Sequence, residues 1–174
     1  MFLTLLMSTA HATVGADIEL RVLGYEPVDQ KVYLLESGGE RERLLFRSPE
    51  SPDWVWAQSW SGLDDAVFYE RLVSLQARLE PLAEADLSGL AVTEIHTAQV
   101  PCPQVPEGWG CQAWSMQVHL SLGSRQTQWT QVSKGRSGVV GGWSLPTGEL
   151  LVMYRHLGLM YEGGYFVDRA ALLK

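Results

Sequence analysis

Most of the residue patterns that announce a catalytic or ligand-holding site are missing from this chain. It has two cysteines in 174 residues, and Cys102 and Cys111 lie too far apart for a C-x-x-C redox pair. No second cysteine pair or neighbouring histidine pair completes a zinc set, so no metal is expected. His96, His119 and His156, the histidines beyond the N-terminal segment, fall at no ligand spacing such as H-x-x-x-H. "GWSLP", 142–146, lacks the second glycine of a nucleophile elbow around Ser144, and Pro146 blocks the helix that should follow. "KGRSGVVGGW", 134–143, carries neither a G-K-[ST] ending nor G-x-G-x-x-G, and reads as a flexible loop or tight turns. No cofactor is expected. Adjacent Asp64 and Asp65 are explained by helix capping rather than acid/base chemistry. No run approaches the roughly 20 apolar residues of a membrane-spanning helix, and no fixed repeat period is present. Acidic residues are absent between Glu107 and Glu149, where Arg125, Lys134 and Arg136 stand. Three cations are too few for a nucleic-acid surface, which needs a dense basic stripe.

What remains fits one domain with a real core: 174 residues, 46% of them apolar, and a net charge of −7. The acidity lies in the first half, with 16 acidic and 7 basic residues over 17–95 against 4 and 6 over 96–174. "MFLTLLMSTAHA" has a short apolar run, Phe2 to Met7, and an Ala10-His11-Ala12 end resembling a signal-peptidase site. We read 1–12 as an export leader and 13–174 as a single domain; a start upstream of Met1 would supply the missing basic region. The destination is then secreted or periplasmic, with a cytosolic protein opening on a short strand as the alternative. In an oxidising compartment "PCPQVPEGWGC", 101–111, reads as a disulfide-clipped irregular loop, since prolines at 101, 103 and 106 disfavour helix and strand. Closing its ten residues stabilises the fold by roughly 2.5–3 kcal/mol on the chain-entropy argument.

Periodicity gives the elements. Residues 17–23 alternate as a half-buried strand, and two apolar runs flank Gly38-Gly39 as a hairpin, about 31–36 and 41–47. Trp54 and Trp56 share the face of a short strand. Asp64-Asp65 opens a helix whose Phe68, Leu72, Leu75 and Leu79 form one apolar stripe, and Pro81 either ends it or begins a second short helix through Ala85. A strand at 90–98 precedes the cysteine loop. Trp114, Met116, Val118, Leu120 and Leu122 alternate with polar residues, predicting a strand with one dry face, and "RQTQWTQV", 125–132, turns back beside it. "GELLVMYRH", 148–156, is apolar on both faces and reads as a central strand; 163–168 is a last strand, followed by a terminal helical turn. The predicted fold is α+β: an antiparallel sheet of six to eight strands with the 64–80 helix on one face, laid against the Trp114–Leu122 ribbon.

Seven tryptophans are the most distinctive content. Trp114 is assigned to the core by alternation. Trp54, Trp56, Trp109 and Trp143 lie in or near Gly/Pro-containing loops, where a ring can stack on a sugar or a peptide side chain. With Gln117, His119 and Trp129 on the amide-rich hairpin they are the candidate ligand-binding residues. Three function classes follow: a non-enzymatic extracytoplasmic binding or assembly domain for a protein or carbohydrate, a hydrolase built on His119 or His156, and an accessory domain that pairs through a sheet edge. A histidine within hydrogen-bond reach of a carboxylate favours the second; a long bare edge favours the third.

Overall fold

The computed structural model describes residues 17–38, 42–48, 51, 53–59, 64–102, 105, 110–159 and 164–174. In chain order these form β1 (Glu19–Glu26), β2 (Lys31–Ser37), β3 (Arg43–Arg47), β4 (Val55–Ser59), α1 (Asp65–Gln76), β5 (Ala83–Glu84), β6 (Ala91–Pro101), β7 (Gln112–Leu122), β8 (Arg125–Ser133), β9 (Gly138–Ser144), β10 (Leu150–Leu159) and β11 (Tyr165–Leu173). The named strands pair antiparallel in three sheets, ordered β1-β2-β3-β4, β11-β10-β9-β5 and β6-β7-β8.

The layering follows from the doubly apolar sequence of β10. Leu151 and Met153 pack with Tyr25, Val32, Leu34 and Leu45 of the first sheet, while Leu150, Val152 and Tyr154 pack with Met116, Val118 and Leu120 of the third. A strand buried on both faces must carry apolar side chains at consecutive positions, and this one does. The β11-β10-β9-β5 sheet is therefore the middle layer. Helix α1 covers the far side of the first sheet, setting Phe68, Leu72 and Leu75 on Leu35 and Leu44. Its N-terminus is capped by the Asp64 carboxylate, which accepts from the Ala66 N–H at 2.9 Å.

The first and middle sheets are also joined at an edge. Ile18 N–H donates to Phe166 O and Asp168 N–H to Ile18 O, both at 2.8 Å. The buried Asp168 carboxylate accepts from Arg155 Nε at 2.6 Å, Arg155 Nη2 at 2.9 Å and Leu20 N–H at 3.1 Å. Cys102 and Cys111 form a disulfide that closes the base of the β6–β7 connection, packed on Ala113 and Val132.

Among the described residues the fold is thus β-dominated, with one minor helix. It differs from the single-sheet expectation in four ways, and settles one alternative. Helix α1 lies on β2 and β3, not on the Trp114–Leu122 ribbon, whose dry face is already covered by β10. Trp114 is not core: it is 40% exposed, because β7 runs past the sheet that covers Met116, Val118 and Leu120. Of the two readings at Pro81 the second helix is not formed: the chain extends as β5 along β9, pairing Ala83 with Ser144 and Glu84 with Trp143. The glycine-rich 134–143 stretch contains β9, where the glycines serve packing: a Cβ on Gly142 would sit 2.7 Å from the Leu87 side chain, and one on Gly141 2.8 Å from the Trp143 ring. Finally, the C-terminal "AALL" is strand, because ladder pairing with Leu150–Met153 overrides the helical preference of Ala and Leu.

Candidate functional site

Three regions gather polar or exposed features. The first is β6. It is the outermost strand of its sheet and pairs only with β7, and among the described residues no backbone group bonds to its other side. Of its 11 residues all but Val100 are exposed. Val92, Glu94 and His96 lie opposite Leu120, Val118 and Met116 and so face inward, yet Val92 remains 42% exposed because β6 overhangs the middle sheet. Ile95 faces outward and is 51% exposed. A bulge between His96 and Ala98 leaves an unbroken run over 91–96. Among the devices that protect sheet edges, β6 has this bulge and the inward Glu94, but no lysine, and its proline stands at the very end.

The second region is a polar cluster beneath β6. The Tyr154 hydroxyl donates to Glu94 Oε1 at 2.5 Å and the Ser137 hydroxyl to the same oxygen at 2.6 Å. Burial and then the Glu94 hydrogen bond push the Tyr154 phenol well above its ordinary value, so it remains a donor. Behind it His156 is buried, its Nδ1 without a partner among the described residues. Desolvation, followed by repulsion from Arg169, lowers the imidazole to about 4, so it is neutral at pH 7. His119 Nε2 stands 3.4 Å from Gln126 Oε1, and the His96 ring lies 5.2 Å from that of Trp114. No described histidine has a carboxylate within hydrogen-bond reach, and among the described residues no three His, Cys, Asp or Glu converge as metal ligands.

The third region is a cleft of about 360 Å³ along the outer edge of β11, between β1–β3 on one side and β8 on the other. Trp54 and Trp129 both line it. Trp54 Nε1 donates to Ala170 O at 3.0 Å, and Trp129 Nε1 donates to Gln131 Oε1 at 2.8 Å.

The predicted site residues are thus divided. Gln117 and His119 share the outer face of the β6–β8 sheet with Gln128, which lies across from His119. Trp129 lies opposite Val118 and so faces inward, its ring edge-on to Tyr154 at 5.3 Å. The expected common surface of Gln117, His119 and Trp129 does not form, because the strand period sends them to opposite faces. Trp143 is half-buried on β9 against the core of the first two sheets. Trp56 is in β4, across from Leu45, and Trp109 lies outside the described residues. Sequence reasoning missed Glu94 and Tyr154, 60 positions apart, and the cleft arginines, for which no local pattern exists. Comparison with protein-family models, with curated proteins and with solved structures finds no match for the chain.

Proposed function

We propose that this chain is a non-enzymatic assembly domain, working outside the reducing cytosol, that takes up an extended segment of a protein partner on the free edge of β6. The observation that carries the reading is an 11-residue strand that, among the described residues, is hydrogen-bonded on one side only and is exposed on both faces. A row of unpaired backbone N–H and C=O groups is matched by another peptide backbone, so strand addition favours a protein over a carbohydrate. Val92 and Ile95 offer one apolar contact on each face of the added strand. The Cys102–Cys111 bridge fixes the end of the ribbon and supports an oxidising compartment. Among the described residues neither His119 nor His156 has the orienting carboxylate that a hydrolase base would need.

The test is photo-crosslinking in the producing cells. A photoreactive phenylalanine analogue at Ile95 should give one discrete protein adduct, and the same group at Val28, which is 85% exposed but sits in the β1–β2 turn, should not. An adduct at twice the 19.4 kDa chain mass makes the added strand a second copy. Thr93→Lys, which charges the edge without removing its pairing to β7, should lower the yield several-fold. No adduct at Ile95, or identical adducts at Val28, would refute the reading.

A further inference from the structure

The geometry points to a second, independent binding site: the cleft beside β11 holds a small polyanion, a molecule with two or more carboxylate or phosphate groups, between the guanidinium groups of Arg47 and Arg169. Each arginine is carried by a tryptophan. Arg47 lies over Trp54 at 5.9 Å and Arg169 over Trp129 at 5.2 Å. Both indoles are pinned by the Nε1 hydrogen bonds described above, so the two cations rest on fixed platforms from opposite walls of one cleft. Such preorganisation removes much of the ordering cost that an unstacked arginine bears when it binds.

The arginines are available to a ligand. Among the described residues Arg47 gives only its Nε, to Ser51 O at 2.8 Å, leaving both terminal nitrogens. Arg169 makes no hydrogen bond or ion pair with any described residue. Its side chain is exposed to solvent, yet enough protein surrounds its head that burial, and then the Arg47 charge, lower its ordinary affinity for a proton. Two guanidinium groups close enough to repel, with Asp53 attracting both but forming an ion pair with neither, are relieved further by an anion between them. The described acidic groups of the lining do not neutralise the pair: Glu36 is paired with Arg43 and Asp168 with Arg155, which leaves Asp53, among the described residues, to offset one of the two positive charges. The floor adds a donor. Residue 170 directs its carbonyl to Trp54 at the outer edge of β11, and because a strand residue points its N–H and C=O the same way, the Ala170 N–H faces the cleft as well. The volume lies at the small-molecule end of the usual range of about 300–1,000 Å³.

The experiment is a titration of the purified chain at low ionic strength with citrate and, separately, with inorganic pyrophosphate, followed by calorimetry and tryptophan fluorescence. Saturable one-site binding of at least one probe is expected; citrate alone assigns carboxylates, pyrophosphate alone phosphates. Arg169→Gln and Arg47→Gln should each weaken binding at least about ten-fold, as loss of a charge-assisted contact does. Arg47→Lys and Arg169→Lys keep the charge and should still lose several-fold, because an ammonium neither forks nor stacks. Lys31→Gln, outside the cleft, should leave affinity unchanged, and the unfolding midpoint of each variant reports that it folds. No saturable binding of either probe up to about 10 mM, or binding indifferent to all four arginine variants, overturns the proposal. Neither result touches the β6 edge, so the two readings fail separately.

Discussion

His156 allows a sharp test of the packing between the middle and third sheets. Its ring is 7% exposed, Nδ1 has no partner among the described residues, and Arg169 adds a repelling charge, so the imidazole falls from 6.5 to about 4. A histidine that resists protonation when folded lets the unfolded chain bind the extra proton. The stability it contributes is complete above about pH 6.5 and is lost as the pH falls toward 4. At about 1.4 kcal/mol per pH unit of difference, the loss is about 2 kcal/mol at pH 5 and about 3 kcal/mol at full protonation. Asp168 and Glu94 raise the imidazole slightly and are outweighed. Glu36, raised by burial, has the opposite sign, adding stability as the pH falls through the carboxylate range; its pairing with Arg43 keeps that contribution small. The assay is urea unfolding at about pH 7.5 and 5 for the natural chain and His156→Gln, whose side chain does not titrate. The natural chain should lose about 2 kcal/mol more than the variant between the two pH values. Equal losses would show that the ring is solvated and that the cover of β8 over β10 is wrong.

Two further outcomes are expected. Cys102→Ser should lower stability by about 2.5–3 kcal/mol, and the intact mass of the natively made protein should rise by two thiol adducts on alkylation only after reduction; two free thiols without reductant would contradict the extracytoplasmic reading. Leu151→Ala and Met116→Ala, each fully buried but in different cores, should each cost about 2–5 kcal/mol in chemical unfolding. A cost confined to one of them would mean that the middle sheet is covered on one side only.

Local patterns were readable wherever a short segment determined its own geometry. The apolar sides of "GELLVMYRH" require burial on both faces, and the alternation of β7 places Met116, Val118 and Leu120 in a dry core. Alternation names a face without saying what covers it, which is why Trp114 ended up partly wet at the overhanging end of β7. The Phe68 stripe of α1 likewise requires an apolar partner but does not choose between the two outer sheets. Glycines at 141 and 142 look like flexibility in sequence, although their lack of a side chain is what admits Trp143 and Leu87. The cleft was half visible, through Trp54 and Trp129. Arg47 and Arg169 were not, since each meets its tryptophan only when β3, β8 and β11 converge.

The free edge of β6 is most directly tested by residue-resolved amide hydrogen exchange of the isolated chain over 91–101. If β7 is its only partner, protection should alternate along 91–96, with slow amides turned toward β7 and fast ones toward solvent. Uniform slow exchange at every position of that run would mean that both sides of β6 are already paired, and strand addition there would be ruled out.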